Sequence, residues 1–538
     1  MKTIIFPFLL LLLGFIGYSQ PLITNWQQCY GGSEHETGYT VQKVGNGFLL
    51  FGETNSTDGQ VVGNHGNADY WLIKTDLAGN IQWQKCYGGT DDEISAKMIP
   101  CMDGGFLLCG STWSATPSGG YNGDVYGNHG GSDYWLIKVD SLGTIEWTKC
   151  YGGSYIDIPI DITPTPDSGF LICGMSNSPD GDVTGNHGIY DVWVVRINHS
   201  GTIKWEKSFG GSMPDWANSI LSTSDGGFIF CGNTQSNDGN VLCNLHGRSD
   251  TWIVKGDSLG NIEWQRCYGG SDYETGDAIQ FTPDGGYVFI SATNSNDGDV
   301  TGNHGGSDIW AVKIDHDGTL VWQKCYGGSL DETGLFIKPG NSGSFIIGGS
   351  TDSYDGEVSG SHSVPPYPSY DMWLIKISSE GNLLWQKCLG GNQDEYLSDI
   401  FELPNGQMML LGSAMTSNNS GDVQCDHHGP GTNDVWFLSI ADTTEVGIKP
   451  EQDKEISIIS YPNPVNDAVT FEYAITGIIA NPTITIFNEL GSVIQVIPLA
   501  ERKGNIQWNT RKASSAISYY LLRNDQVLKS GKIIVLKQ

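Results

Sequence analysis

Hydrophobic and polar positions in this chain follow one pattern seven times, with a period of 57 to 64 residues. A typical copy has a Trp-led apolar segment ending in C-Y-G-G, an acidic loop, a glycine-rich apolar segment, an N-H-G loop and an apolar segment that begins D-x-W. The leading tryptophans are Trp26, Trp83, Trp147, Trp205, Trp264, Trp322 and Trp385, and the D-x-W tryptophans are Trp71, Trp135, Trp193, Trp252, Trp310, Trp373 and Trp436. A repeat of this length is one supersecondary unit that cannot bury its own apolar faces, so neighbouring copies must cover them.

Each period predicts four β-strands and no helix. In the third copy these strands are residues 158–163, 169–175, 191–198 and 202–209. Runs such as V-W-V-V-R are apolar at successive positions, which is typical of strands covered on both faces. T-x-D-G-G and D-x-x-G-N segments predict tight hairpin turns. The pattern therefore predicts an all-β, seven-bladed β-propeller, with an open β-solenoid as the alternative.

The ends of the repeat array predict how the ring closes. The array begins with a lone fourth strand at residues 25–30 and ends after a third strand at residues 435–440. The last blade therefore lacks its own outer strand, and the first strand can supply it. Such an exchange removes exposed sheet edges.

The N-terminus predicts export. Lys2 precedes an apolar run from Ile4 to Ile16, and Gly17-Tyr18-Ser19 precedes Gln20. This pattern predicts a signal peptide at residues 1–19, which is short for a membrane span. The propeller is expected at residues 20–443, with no membrane span after signal removal.

After a polar linker at residues 444–455, residues 456–538 have a different pattern. They read S-Y-P-N-P-V-N-D, then I-T-I-F-N-E-L-G, and end in S-G-K-I-I-V-L-K-Q. These three ordered blocks resemble the C-terminal sorting domain of the type IX secretion system. The resemblance implies a small, Ig-like β-sandwich recognised by the secretion translocon. It also implies a protein that is secreted or held on the outer surface of a Gram-negative bacterium.

The net charge of the chain indicates which classes of partner it can bind. The net charge is −32, and residues 3–450 hold 18 Lys and Arg against 52 Asp and Glu. Such acidity disfavours nucleic acid and anionic membranes, and it favours cations, neutral glycans or basic partners. We expect a monomer.

Twelve cysteines in an exported chain invite a disulfide interpretation. Most of them occupy equivalent strand sites in different blades, which are too far apart for a bridge. Cys243 and Cys425 lie in loops of blades four and seven. We therefore expect all twelve to be free thiols.

In each copy G-G is followed by Ser, Thr or Asn, and an acid stands three residues after that residue. These candidate site residues are Glu36, Glu93, Asp157, Asp215, Glu274, Glu332 and Glu395. They precede the predicted innermost strand, so we expect them to ring the channel mouth. Each carboxylate could accept hydrogen bonds from its own loop, and the alternative is a ring that binds cations.

The N-H-G loops offer one His each, near the Asp of D-x-W. The histidines are His65, His129, His187, His246, His304, His362 and His428, and the aspartates are Asp69, Asp133, Asp191, Asp250, Asp308, Asp371 and Asp434. One His per separate loop does not supply a zinc site, so we expect each His and Asp to brace its loop. No cofactor is predicted, although D-G-D segments leave Ca²⁺ as an alternative.

Departures from the repeat are where function is expected. Blade two inserts S-A-T-P-S-G-G-Y after Trp113, and Tyr367 lies in a proline-rich segment of blade six. Trp216 and Tyr396 follow the acids of blades four and seven. Exposed aromatic rings beside carboxylates are typical of glycan sites. The predicted function is a non-catalytic module that binds a glycan, a protein or a cation. A polysaccharide-cleaving glycoside hydrolase or lyase is the alternative, since such enzymes also use propellers.

Overall fold

A computed structural model describes most of the repeat array and the strands of the C-terminal region. The described residues are 22–115, 120–340, 343–363, 368–403, 406–415, 420–425, 431–442, 457–461, 467–474, 483–488, 493–499, 503–510, 517–523 and 527–534. The chain divides into two compact units, Met1–Thr444 and Glu445–Gln538. The predicted signal peptide, the linker and Tyr367 lie outside the described residues.

Seven four-stranded antiparallel sheets form the first unit, which confirms the seven-bladed propeller. Blade one is β2 (Glu36–Val44), β3 (Gly47–Thr54), β4 (Asp69–Asp76) and β5 (Ile81–Tyr87). Blade two is β6 (Glu93–Pro100), β7 (Phe106–Thr112), β10 (Asp133–Val139) and β11 (Ile145–Tyr151), with a small hairpin of β8 (Tyr121–Asn122) and β9 (Val125–Tyr126). Blade three is β12 (Asp157–Pro164), β13 (Phe170–Ser176), β14 (Asp191–Ile197) and β15 (Ile203–Phe209).

The remaining blades have the same order of strands. Blade four is β16 (Asp215–Ser222), β17 (Phe228–Thr234), β18 (Asp250–Gly256) and β19 (Ile262–Tyr268). Blade five is β20 (Glu274–Phe281), β21 (Tyr287–Thr293), β22 (Asp308–Ile314) and β23 (Leu320–Tyr326). Blade six is β24 (Glu332–Pro339), β25 (Phe345–Thr351), β26 (Asp371–Ile377) and β27 (Leu383–Leu389). Blade seven is β28 (Glu395–Glu402), β29 (Gln407–Ala414), β30 (Asp434–Asp442) and β1 (Leu22–Tyr30).

Burial follows the position of a strand in its blade. Every residue of β10 is buried, as expected of a middle strand that neighbouring blades cover on both faces. Each first strand has a break in pairing register, such as the one between Ser95 and Lys97 in β6. Such a bulge bends the strand, and the first strands of all seven blades line one central channel.

The first strand of the chain closes the ring, as the ends of the repeat array predict. β1 pairs antiparallel with β30, from Leu22 opposite Asp442 to Tyr30 opposite Val435. The Tyr30 hydroxyl donates to the carbonyl of Gly79 in blade one, at 2.5 Å. The same Tyr-to-Gly bond joins Tyr87 to Gly143 at 2.6 Å. The closing boundary is therefore built like the boundary between blades one and two.

The prediction of twelve free thiols is wrong. Cys29 is bonded to Cys425, and Cys243 is bonded to Cys267. Each bridge joins a loop to the fourth strand of the same blade, because β1 is the fourth strand of blade seven. Equivalent cysteines are indeed a blade apart, but the distance that decides pairing is the one within a blade. The eight free cysteines are Cys86, Cys101, Cys109, Cys150, Cys173, Cys231, Cys325 and Cys388.

Two small sheets form the C-terminal unit. One contains β31 (Ser457–Tyr461), β32 (Ala468–Ala474) and β35 (Lys503–Asn509), and the other contains β33 (Thr483–Asn488), β34 (Val493–Pro498), β36 (Ile517–Arg523) and β37 (Val527–Ile534). Phe471 and Trp508 from the first sheet share one core with Ile484 and Leu522 from the second. Two sheets around one core make a small β-sandwich.

Candidate functional site

The seven repeated acids are buried at the boundaries between blades. All seven have no exposed surface. Each accepts a hydrogen bond from the backbone N–H of the second glycine of G-G, at 2.6 to 3.0 Å. Glu93 also accepts one from the Thr112 hydroxyl at 2.6 Å. Backbone amides and hydroxyls of the acid's own blade therefore take up its lone pairs.

The backbone of the same acid fastens its blade to the one before it. The Glu93 N–H donates to the carbonyl of Ala68 in blade one, at 2.7 Å. At the closing boundary the Glu36 N–H donates to the carbonyl of Asn433 in blade seven, at 2.8 Å. Each acid begins the innermost strand of its blade, and its complete burial leaves its carboxylate without access to solvent. In this structure their carboxylates are positioned to hold loops together.

A second buried carboxylate stands beside each of these acids. The Asp69 Oδ2 atom accepts from the Nδ1 atom of His65 at 2.7 Å and from the backbone N–H of the same residue at 2.9 Å. The Nδ1-to-Asp contact recurs in the first six blades at 2.6 to 3.0 Å. His and D-x-W Asp thus brace their loop in those blades, while His428 lies outside the described residues.

The two neighbouring carboxylates explain why the first residue of G-G is a glycine. A Cβ atom built on Gly88 would lie 2.2 Å from Asp69 Oδ1 and 2.5 Å from Glu93 Oε2. Any side chain here would collide with both carboxylates. Gly327 is confined in the same way, by Asp308 Oδ1 at 2.7 Å and Glu332 Oε2 at 2.2 Å.

Burial also sets the proton affinity of these acids. Desolvation raises the pKa of Glu93 to about 7 against the hydrogen bonds from Thr112 and Gly89, and the charge of Asp69 adds to the rise. Desolvation likewise raises the pKa of Glu332 to about 7. The pKa of Asp69 is raised by burial in spite of its bonds to His65. Its Oδ1 atom is buried without a hydrogen-bond partner. A proton shared by Glu93 and Asp69 would relieve the repulsion between these two buried carboxylates.

The described residues contain no cluster of side chains suited to bind a metal ion. No group of three or more His, Cys, Asp or Glu in the described part of the chain is arranged to hold a metal ion. In blade five the first acid of the D-G-D loop binds a backbone amide, because Asp297 Oδ1 accepts from the Ser271 N–H at 2.7 Å. The equivalent acids Asp58, Asp180, Asp238 and Asp355 accept the same bond, which joins the loop after strand two to the loop that precedes the innermost strand.

The predicted aromatic residues are spread around the ring. Trp216 and Tyr396 are half-buried, at the second position of the innermost strands of blades four and seven. Trp113 follows β7 in blade two and is 37% exposed. The ring of Tyr396 lies 5.8 Å from that of Tyr370. The three described residues of the prediction thus belong to blades two, four and seven.

Inside the channel, charged side chains are mostly paired across blades. Lys97 contacts Asp161, whose Oδ2 atom accepts from the Ile220 N–H of blade four at 2.8 Å. Lys338 contacts Asp399 in the same way. Asp277 differs, because its Oδ2 atom is buried without a hydrogen-bond partner, and burial raises its pKa well above the usual range.

Two sets of residues were missed from the sequence. The first is the pair of hydroxyls at the end of the second strand, such as Thr112 and Ser114, whose T-x-S spacing recurs in blades one to six with Ser for Thr in blade three. The second is the aromatic pair of the blade-two hairpin. Tyr121 ends the insertion and is 72% exposed, and Tyr126 is 48% exposed. Their rings lie 4.8 Å apart.

Comparison with known proteins bears on the C-terminal unit first. Residues 460–536 match the family model described as "Secretion system C-terminal sorting domain". The chain carries a type IX sorting domain. It is accordingly a secreted or cell-surface protein, and the sorting domain implies interaction with the secretion system. No described helix is long and apolar enough to cross a membrane.

Similarity to whole proteins is more distant. Regulatory protein FlaEY of Caulobacter vibrioides is 21% identical over 310 residues, which are 52% of this chain and 31% of that protein. The chain therefore spans less than a third of the length of this curated relative.

Two solved structures are weakly similar to this chain. PorZ, named an essential bacterial surface component of the type-IX secretion system of Porphyromonas gingivalis, is 13% identical, with 94% of this chain and 60% of that chain covered and a TM-score of 0.39. A puromycin hydrolase is 10% identical, with 81% and 58% covered and a TM-score of 0.41.

Proposed function

We propose that the propeller is a non-catalytic binding module, which the sorting domain delivers to the cell surface or the medium. The observation that carries this proposal is the enclosure of the repeated acids. All seven are without exposed surface and hold loops and blades together.

The competing function is a glycoside hydrolase or lyase. A hydrolase needs two carboxyl groups about 5 to 10 Å apart, one with a raised pKa, on either side of the scissile bond. Glu93 and Asp69 resemble such a pair in proximity and in pKa. Both are sealed from solvent, and Gly88 lies against them, so no sugar ring fits between them.

Loop asymmetry supports binding. The loops after strands two and four project from one side of the blades, and blade two carries an extra hairpin there. Bound ligands are held by loops on a rigid scaffold in many proteins. The charge favours a neutral glycan, a basic protein surface or a cation.

The decisive experiment measures binding and turnover together. The mature full-length protein is titrated with cellohexaose, xylohexaose and maltohexaose, once with calcium and once with a chelator. Chromatography then tests whether each sugar is intact. Binding without cleavage supports the module, and release of shorter sugars establishes the hydrolase instead. Affinity that is lost with the chelator would add calcium to the binding site.

Export is tested separately by deleting residues 456–538. Since the sorting domain is what the translocon recognises, the truncated protein is expected to stay in the periplasm with a folded propeller. Cell fractionation and surface protease treatment report the location. Delivery of the truncated protein to the surface would contradict the role of this domain.

A further inference from the structure

A groove lies between blades two and three, alongside the outer strand of blade two. It encloses about 490 Å³. Thr148 and Lys149 of β11 form its floor, and Tyr126, Asp182 and Thr202 are among the residues around it. The groove is separate from the central channel, which the innermost strands line.

Tyr126 forms part of the lining of this groove, and the other blades have no tyrosine at the equivalent position of their sequence. Tyr126 follows the valine of the loop after strand two, and the equivalent residues are Val62, Thr184, Leu242, Thr301, Ser359 and Gln424. The short hairpin of β8 and β9 places Tyr121 opposite Tyr126 and tilts the two rings by 36°. A pair of exposed aromatic rings leaves apolar area in water, and such area commonly marks a contact surface.

Polar groups in the groove can both donate and accept. The Thr148 hydroxyl accepts from Trp135 Nε1 at 2.6 Å, so its own hydrogen can be donated. Lys149 Nζ donates to the Gly201 carbonyl at 3.0 Å and has further hydrogens to donate. His129 binds Asp133 through Nδ1 and has Nε2 available. The carboxylate of Asp182 supplies acceptors.

We propose that this groove binds a neutral glycan, with Tyr126 stacking against a sugar ring. Sugar hydroxyls both donate and accept, which suits the mixed lining, and the flat face of a sugar suits an exposed tyrosine. The acidity of the propeller disfavours an anionic polysaccharide. This inference rests on the proposed binding function and names its ligand class and site.

The test compares variants of the mature full-length protein in calorimetric titrations. The probes are cellohexaose, xylohexaose and maltohexaose, with chondroitin sulfate as the anionic probe. The unmodified protein is expected to bind at least one neutral hexasaccharide. Tyr126→Ala should weaken that binding about 10- to 100-fold through lost stacking area, and Tyr126→Trp should keep it within about threefold. Thr184→Ala, at the equivalent site of blade three, is the matched control and should change affinity less than about twofold.

The variants are expected to melt at about the temperature of the unmodified protein, since Tyr126 is half exposed and outside the blade core, and thermal melts check that they are folded. If Tyr126→Ala binds as the unmodified protein does and Trp216→Ala loses binding, the groove inference is overturned but the binding function stands. Tighter binding of chondroitin sulfate than of every hexasaccharide overturns the ligand class. Lack of binding to every carbohydrate probe overturns the glycan inference, whereas cleavage of a probe overturns the proposed function itself.

Discussion

The repeated acids and the blade-two hairpin represent two kinds of loop structure in this propeller. Glu93 and its equivalents recur in every blade and are fully buried, whereas Tyr126 occurs once and is 48% exposed. Glu93 begins the innermost strand of blade two, whereas Tyr126 lies in the hairpin that follows the second strand of the same blade. The comparison teaches that residues kept in every copy secure the boundaries between blades, and that departures from the repeat are free to contact a ligand.

Deleting the strand that closes the ring should have the largest effect on the stability of the propeller. Deletion of residues 22–30 takes away the strand that pairs with β30 and the Tyr30 bond to blade one. Blade seven then exposes a sheet edge, which promotes aggregation. We expect loss of the cooperative melting transition, measured by circular dichroism, and aggregation in size-exclusion chromatography. A soluble monomer with an unchanged melting temperature would show that ring closure does not hold the repeat together.

The two disulfides should differ in their contributions to stability. Cys29–Cys425 closes a segment with a sequence separation of 396, and Cys243–Cys267 one of 24. The chain-entropy estimate is about 6 kcal/mol for the long loop and about 3.5 kcal/mol for the short one. Cys29→Ser should therefore lower the free energy of unfolding more than Cys267→Ser does, as measured in denaturant. Equal losses would indicate that residual structure in the unfolded chain, rather than loop length, sets the difference.

A thiol count provides an independent check on the bridges. Eight titratable thiols are expected in denaturant without reductant, because eight cysteines are free. Twelve would restore the original prediction from the sequence.

The cysteines show which features of the fold could be predicted from the sequence and which could not. Blade number, strand order and the partner of the first strand follow from the repeat, since period and apolar runs dictate them. Pairing of Cys243 depends on how close its loop approaches the fourth strand, and sequence spacing does not reveal that distance. One signal was present: Cys243 and Cys425 stand where other blades have glycine, as at Gly63 or Gly302.

The repeated acids could be identified from the sequence, but their burial could not be predicted from it. G-G followed by an acid marks a loop in every copy, yet its burial depends on the neighbouring blade. Tyr126 was missed because a single tyrosine within the long connection between the second and third strands has no distinctive pattern of its own. It becomes notable only when the groove beside it is seen.

The buried acids should make stability fall with rising pH. Burial raises the pKa of Glu93 from the usual 4.5 to about 7, so the folded state holds a proton that the unfolded chain has lost in this interval. Stability should therefore decrease between about pH 5 and pH 8, and a shift of this size corresponds to on the order of 3 kcal/mol. Glu93→Gln, which stays neutral, should flatten this slope in thermal melts across the range.

Glu380→Gln is the matched control for that experiment. Glu380 is exposed in a turn, and hydrogen bonds from Ser379 and Ser378 lower its pKa, so it titrates below the interval. Its replacement should leave the slope unchanged. An equal flattening by both variants would mean that overall charge, and not the buried pair, controls the pH response.

The smallest expected effect concerns the tyrosine of C-Y-G-G. Tyr87 donates to the carbonyl of Gly143 in the next blade, whereas blade three has Phe209 at the equivalent position and forms no such bond to the turn at Gly260. Tyr87→Phe should cost about 1 kcal/mol in the free energy of unfolding, because the buried Gly143 carbonyl loses one of its two donors and keeps only Lys85 Nζ, at 2.8 Å. Phe209→Tyr should add up to about 1 kcal/mol, since Phe209 is 3% exposed and its ring occupies the same place as the other tyrosines. Opposite signs for the two changes, measured by denaturant unfolding, would show that the repeated position acts by this hydrogen bond. If both variants lose stability, packing around blade three has adapted to the phenylalanine, and the boundaries between blades are less equivalent than their shared acids indicate.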